Sequence, residues 1–381
     1  MDASRQHEYR KRQIPDMSQA FLRIGQGRIS GYVSAFLGVM SFLTVLCFLF
    51  PSWLTTAELR EVYDPDQIRV VLRIGMCVSL AFGLVTFALD RRKRMGAVGL
   101  CFTFAALALG GWDVQGGPVD ARAVSVGLDW LLLDFLLSVV AFTFLEKALP
   151  KYPEQAILRP EWRLDLVYFG MNHLLVSLVL LVANAFAPLV FGWTTNARLQ
   201  SLVTSLPVAA QFVVLVFGAD LAQYWTHRAF HRVPLLWKFH AVHHSVEHMD
   251  WLAGSRLHFV DTLVTRSLMM VPLYLLGADK TALDAYVVFA AVQSVFVHAN
   301  VGVHFGPLKY LVATPQYHHW HHASDDPALD TNYAVHLPLY DKLFGTFHMP
   351  TEHWPARYGT TKPVPRTLVA QTLYPFRSDS A

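Results

Sequence analysis

The chain has 381 residues, of which 54% are apolar and only 15% charged, and its mean hydropathy is +0.33. A soluble domain carries about a quarter charged residues, so this balance excludes an ordinary soluble protein and points to the membrane. The net charge of +3 is scattered, with no dense basic tract, which excludes nucleic acid as a partner.

A bilayer crossing needs about 20 mostly apolar residues. The segment MDASRQHEYRKRQ is polar, and the first apolar run starts near Gly31. That is late for a cleaved signal peptide, so the run reads as a retained anchor. In chain order the predicted spans are 31–50, 70–89, 96–112, 124–145, 168–193 and 206–225, followed by shorter runs at 263–277 and 283–299. Cys47, Cys77 and Cys101 all lie inside apolar runs without CxxC spacing, and buried, inert thiols are expected.

Loop charges set the orientation. The N-terminal segment holds Arg5, Arg10, Lys11, Arg12, Arg23 and Arg28; DRRKRM and EKALPKYPEQAILRPEWR are also basic, and the alternate loops are not. Basic loops inside leave the sixth run ending at the cytoplasmic face. The pair 263–299 leaves and returns whether it crosses or only dips in, so all the histidine-rich segments share that face. The chain divides near 155, at the Pro-containing linker KYPEQAILRP. Residues 1–155 hold four spans, 156–350 nearly all the histidines, and 351–381 a polar tail expected to pack loosely. RSDSA is not an ER-retention signal, which favours a bacterial inner membrane.

Fifteen of the 18 histidines lie between 227 and 348. Three dense boxes occur: HRAFH (His227, His231), HAVHH (His240, His243, His244) and HHWHH (His318, His319, His321, His322), with His298 and His304 in the sparser FVHANVGVH. On a helix each residue advances roughly 100°, so HxxxH places both rings on one face and HxxHH gathers three within an arc of about 100°. One HxxxH and two HxxHH boxes thus offer eight nitrogens, enough for two metal ions when one or two more join. Neutral imidazole suits iron, copper and zinc. Eight buried polar rings without a metal would be costly. His298 is a further candidate ligand, and His258 and His304 are candidates for a ligand or supporting role. His319 points away from the face shared by His318, His321 and His322 and reads as a bystander. His173 reads as a helix-packing residue, and His248, His336 and His348 as surface or loop residues. Asp220 lies two turns before His227, where it can orient a ligand ring or serve as a helix-end charge. The expected architecture is all-α: a polytopic transmembrane bundle with a cytoplasm-facing helical cap carrying the boxes. HExxH and GxSxG are missing, and GQGRISG follows no strand.

At these residues the sequence resembles the fatty acid hydroxylase / sterol desaturase superfamily of integral-membrane di-iron oxidases. DLAQYWTHRAFHRVPLLWKFHAVHHS, FVHANV, TPQYHHWHH and NYAVHLPLYDKLFGTF carry the resemblance, over roughly residues 156–350. It implies that His227, His231, His240, His243, His244, His298, His318, His321 and His322 ligate two irons, with zinc as a possible substitute. It also implies that Asp220 and Asn332 support them. Arg256 and His258 resemble an Arg-x-His-Pro element, except that Phe259 replaces the proline.

The implied reaction is O2-dependent hydroxylation or desaturation of a lipid C–H bond, driven by two external electrons. No flavin, haem-attachment or dinucleotide fingerprint occurs, so the donor is expected to be a separate cytoplasmic protein drawing on NAD(P)H. A lipid entering from the bilayer would meet Trp225, Phe230, Trp237 and Phe239. The alternative is a zinc-binding membrane hydrolase or metal carrier. A hydrolase needs a general base that no motif supplies, and a carrier needs ionisable residues along its spans.

Overall fold

The structure, a computed structural model, describes residues 27–377 except 57–59, 61–62, 92, 118–124 and 351–352. Arg5, Arg10, Lys11, Arg12, Arg23 and all of RSDSA but Arg377 lie outside the described residues. Among the described residues there is no strand, only isolated bridges at Pro150–Val301 and Ala323–Tyr358.

The helices run in this order: α1 (Arg28–Leu49), α2 (Pro51–Leu54), α3 (Pro65–Leu89), α4 (Arg94–Ala108), α5 (Leu128–Ala148), α6 (Trp162–Leu174), α7 (Val176–Phe191), α8 (Ala197–Thr204), α9 (Val208–Arg232), α10 (Pro234–His244), α11 (Phe259–Leu276), α12 (Lys280–Phe296), α13 (Pro315–His321), α14 (Leu339–Phe344) and α15 (Leu368–Leu373). Helices α1, α3, α5, α9 and α11 are long and apolar enough to cross a membrane. The protein is therefore a multi-pass integral membrane protein. The span expected at 168–193 consists of two helices meeting at Leu175. The hydrogen-bond ladder continues through that point, with Leu175 N–H donating to Met171 and Val179 N–H to Leu175, both at 3.0 Å.

Two compact units divide inside α5, Met1–Leu136 and Leu137–Ala381. In the first, α1 packs on α3 and α4. Small residues let the backbones close up: a Cβ on Gly38 would strike the Gly99 carbonyl. Hydroxyls join the helices: Ser34 and Ser79 exchange 2.8 Å bonds to each other's carbonyl oxygens, and Ser79 pairs with Thr103 at 2.8 Å. This chemistry suits a bilayer, where apolar surface alone gives helices no reason to associate. Of the cysteines, Cys47 is buried as expected. Cys77 and Cys101 instead face outward from α3 and α4, because an apolar residue in a span can face lipid as well as core.

In the second unit α9 packs against α11 and α12, and α11 also packs on α7. The seam of Leu215, Val216, Ala219, Leu273, Ala282, Tyr286 and Ala290 fixes α9 relative to α11 and α12. Helix α9 has 25 residues, roughly 37 Å at helical rise, so it carries its apolar part and the first histidine box on one rod. Residues 353–377 do not form a loose tail. Tyr374 is buried against Tyr168, Ala241 and Val242, and Lys238 Nζ donates to the Arg377 carbonyl at 3.3 Å. Apolar residues such as Val364, Leu368 and Tyr374, spread thinly among polar ones, give this segment enough to bury.

Candidate metal centre

Local rules place each box. Pro234 occupies the first turn of α10, and Val233 before it is extended, so the chain turns sharply between HRAFH and HAVHH. Pro315 likewise starts α13, and the Thr314 hydroxyl accepts from Tyr317 N–H at 3.4 Å as its cap. His298 follows α12, where Val297 and His298 leave the helical path.

The side chains meet in two groups. The first holds His227, His231, His240, His244 and His321; the second holds His243, His298, His318 and His322; within each, one donor atom per residue lies within 4.8 Å of all the others. The groups abut, with the His244 and His322 rings stacked at 4.4 Å and those of His243 and His244 edge to face at 5.6 Å. Three rings of an HxxHH box do not converge on one point, as the spacing alone suggests. His240 and His244 serve the first group and His243 the second; His321 serves the first, and His318 and His322 the second. The 100° between adjacent residues aims neighbouring rings at different centres.

Outer partners fix the tautomers. His227 Nδ1 donates to the Tyr333 carbonyl and His240 Nδ1 to Asp261 Oδ2, both at 2.7 Å. With both protons outward, the two Nε2 atoms present lone pairs to each other, and they stand 3.0 Å apart. The second group repeats this. His243 Nδ1 donates to the Arg256 carbonyl at 3.1 Å and His298 Nδ1 to Ser294 at 2.7 Å, leaving their Nε2 atoms 3.3 Å apart. Facing lone pairs repel unless a cation lies between them. The Nε2 atoms of His231, His244 and His321 are buried without a protein partner. Such orphaned acceptors are costly unless a ligand satisfies them. Burial first, then the neighbouring imidazoles, holds His243, His244, His318, His321 and His322 well below the ordinary imidazole range. They are therefore neutral near pH 7, the form that binds metal. The donor set fits two transition-metal ions.

Residues 212–346, which contain both groups, match the fatty acid hydroxylase family. That is about a third of the chain, and it is the part that is similar to this family. An ornithine lipid hydroxylase of Rhizobium tropici is 37% identical over 170 residues, 45% of this chain and 51% of that protein. Human alkylglycerol monooxygenase is 32% identical over 147 residues, 39% of this chain and 32% of the relative. A very-long-chain aldehyde decarbonylase of Arabidopsis thaliana is 30% identical over 144 residues, 35% of this chain and 22% of the relative. The matches thus span about half or less of each relative's length. No solved structure matches the chain.

Several residues in and around the matched region have roles that differ from their sequence reading. Asp220 orients no imidazole. Its carboxylate accepts the N–H groups of Val335, His336 and Leu337 at 2.9, 2.9 and 2.7 Å, because α9 runs beside that loop and its buried amides need an acceptor. Asn332, at φ 57°, also works on backbone: its Nδ2 donates to the carbonyls of Tyr317 (3.0 Å) and His348 (2.6 Å), and its Oδ1 accepts from His348 N–H (2.8 Å). His258 lies outside both groups, capping α11 through Val260 N–H at 3.1 Å and donating to the Thr372 carbonyl at 3.2 Å. His304 is exposed and outside both groups. His336, expected at the surface, is buried, with Nδ1 2.6 Å from Gln293 Oε1. His248 and His348 are half-buried, and His173 bonds back to the Phe169 carbonyl at 2.7 Å within its own helix. His319, by contrast, lies outside both groups as its place on the helix indicates. Its Nε2 donates to the His298 carbonyl at 3.2 Å, and its Nδ1 accepts from the Tyr358 hydroxyl at 2.9 Å.

Other contributors come from outside the histidine boxes. Asp261 holds His240 from 21 residues away, and Asp330 Oδ1 lies 3.5 Å from His231 Nδ1. Arg256 holds His243 by its carbonyl, while its guanidinium pairs with buried Asp165 at 2.5 Å. Arg159 bridges Asp165 (2.6 Å) and Asp250 (2.7 Å), so a buried charge network anchors this turn. Gly254 lies against His298: an added Cβ would come within 2.7 Å of Nδ1. Of the aromatics expected beside a lipid, Phe230 and Trp237 flank the site, 5.6 Å from His240 and 5.1 Å from His231. Phe239 instead packs on His258 and Phe376, and Trp225 on Tyr224 and Phe344.

Proposed function

We propose that the protein is a di-iron, O2-dependent lipid hydroxylase whose nine clustered histidines hold the metals at the cytoplasmic face of the membrane. The observation that carries this reading is the inward-facing set of imidazole nitrogens, split into two abutting groups with their outer protons tied to backbone and carboxylate. A pair of irons held by nitrogen supplies O2-dependent oxidation of an unactivated C–H bond. His227, His231, His240, His244 and His321 would hold one ion, and His243, His298, His318 and His322 the other. Asp261 keeps a proton on His240 Nδ1 and so keeps Nε2 a donor to metal. The Arg256 and Ser294 carbonyls do the same for His243 and His298. Burial of the rings excludes water from the reaction, and Phe230 and Trp237 offer an apolar border along which a lipid chain can lie.

The relatives named as an ornithine lipid hydroxylase and an alkylglycerol monooxygenase support a lipid substrate and O2. Each turnover needs two electrons from outside, which a separate NAD(P)H-dependent donor protein would deliver at the cytoplasmic face. Two measurements test the reading: the metal content of the purified protein, and lipid mass spectrometry of a host with and without the gene. Two irons per chain and lipids gaining one oxygen atom are expected. Zinc alone with an unchanged lipidome sinks the proposal.

A further inference from the structure

Helix α11 is apolar enough to cross a membrane, yet Arg266 sits near the middle of its 18 residues. An ionisable side chain inside a span ordinarily pairs with a partner or faces a cavity, and it marks the path of a substrate or ion. Among the described residues Arg266 makes no hydrogen bond, ion pair or ring contact. Two observations turn it inward. Met269 and Met270, three and four residues on and so on the same face, pack on the seam between α9 and α12. The field of the guanidinium also reaches Tyr286 and His336, both of them buried. The Arg266 side chain is nonetheless exposed, and α11 packs on α7 and α9 without packing along α12. A cleft therefore opens between α11 and α12, with the cation on its wall.

The polar groups around the cleft do not compensate this charge. Asp220 is committed to the N–H groups of Val335, His336 and Leu337. His336 Nδ1 donates to Gln293 Oε1 at 2.6 Å. The Tyr286 hydroxyl lies 3.4 Å from both Met269 Sδ and His336 Nε2, two long contacts of which it can donate to only one. Three helices tie this layer to the histidines. Asp220 comes seven residues before His227 on α9, and Gln293 five before His298 at the end of α12. Arg266 comes five residues after Asp261, which holds His240 at 2.7 Å. At helical rise these steps amount to roughly 7–11 Å, so the cation's layer adjoins that of the imidazoles. A guanidinium matches a carboxylate or phosphate through parallel N–H donors. The methionines beside it in the span suit an amphiphile better than a free anion.

We infer that the cleft between α11 and α12 holds the acidic group, carboxylate or phosphate, of the lipid substrate, paired with Arg266 and hydrogen-bonded by the Tyr286 hydroxyl. The inference names the substrate class of the proposed oxygenase and rests on that reading. The test is equilibrium binding of dodecanoate, dodecyl phosphate, dodecanol and inorganic phosphate to the full chain purified in a nonionic detergent. The parent is expected to bind at least one acidic amphiphile about tenfold or more tighter than dodecanol and inorganic phosphate. Arg266→Met is expected to lose that preference with dodecanol binding unchanged, and Arg266→Lys to keep part of it. Arg266→Met should also melt no lower than the parent, because it removes an unpaired charge from a span; Arg266→Gln decides the matter if the Met variant does not fold. A parent without the preference, a Met variant that keeps it, or phosphate bound as tightly as the amphiphile overturns the subsite. Lower melting or failed folding in both the Met and Gln variants marks Arg266 as a structural residue and overturns it too.

His321→Ala is expected to bind the acidic amphiphile like the parent, since the assay involves no turnover. Loss of oxygenation therefore reports on the metal reading and loss of the preference on the subsite. In active protein Arg266→Met lowers the ratio of oxidised acidic to oxidised neutral lipid; an unchanged ratio overturns the assignment to substrate.

Discussion

Replacing Asp261 by Asn tests whether outer partners tune the first metal site. The Asp261 carboxylate accepts from His240 Nδ1 at 2.7 Å and from the Thr265 hydroxyl at 3.1 Å. Asparagine keeps the shape and an acceptor oxygen but removes the charge. A hydrogen bond to a charged group contributes about 1.5–3 kcal/mol and a neutral one about 0.5–1.5, so the change removes about 1–1.5 kcal/mol. That bond holds the ring with Nε2 toward the metal, so the loss should appear in metal affinity as a factor of about ten. This lies at the lower end of the 10–100-fold range typical of partners behind a ligand histidine. The assay is graded extraction of iron from purified protein by a chelator. Asp261→Asn should release metal at roughly a tenth of the chelator concentration the parent needs, with helix content unchanged by circular dichroism. An extraction curve superimposable on the parent's would refute the reasoning and reduce Asp261 to a packing residue.

His321→Ala should lose metal and activity together, measured as iron per chain and as oxidised lipid. His319→Ala should keep its iron but melt at lower temperature, because the His298 carbonyl and the Tyr358 hydroxyl lose a buried partner, at about 1–3 kcal/mol each. Gly254→Ala should push the His298 ring aside and lower metal content with little change in folding, since the three atoms nearest the new methyl group all belong to that ring. Asp220→Ala should leave three backbone N–H groups without their acceptor, a loss of about 3 kcal/mol or more, read in thermal unfolding, with activity per folded molecule close to the parent's.

The elements were legible because hydrophobic length and proline placement are local properties. Runs at 206–225 and 263–277 became α9 and α11, and Pro315 starts α13 as its position before HHWHH suggests. The nine histidines that the boxes and the resemblance single out are the nine the structure brings together, since helical spacing alone puts His227 beside His231 and His240 beside His244. How they are shared between two centres was not legible, because that depends on how α9, α10 and α13 cross. Asp220 was misread for a related reason: two turns of spacing show that a side chain shares a face with His227, but not which loop lies opposite. Asp261 and Gly254 act across distances that no local pattern reports, and the Arg-x-His element that contains Arg256 does not show that its carbonyl faces His243. His336 was mistaken for a surface residue because its burial depends on Gln293 from another helix.

The division of the two histidine groups among helices also bears on how the proposed centre would assemble. Helix α9 serves only the first group and the corner after α12 only the second, whereas α10 and α13 give rings to both. An ion that settles into either group therefore pins two helices that the other group also needs, and lowers the ordering cost of the next ion. Loading should be cooperative: chains starved of iron should separate into empty and filled molecules, with few carrying a single ion.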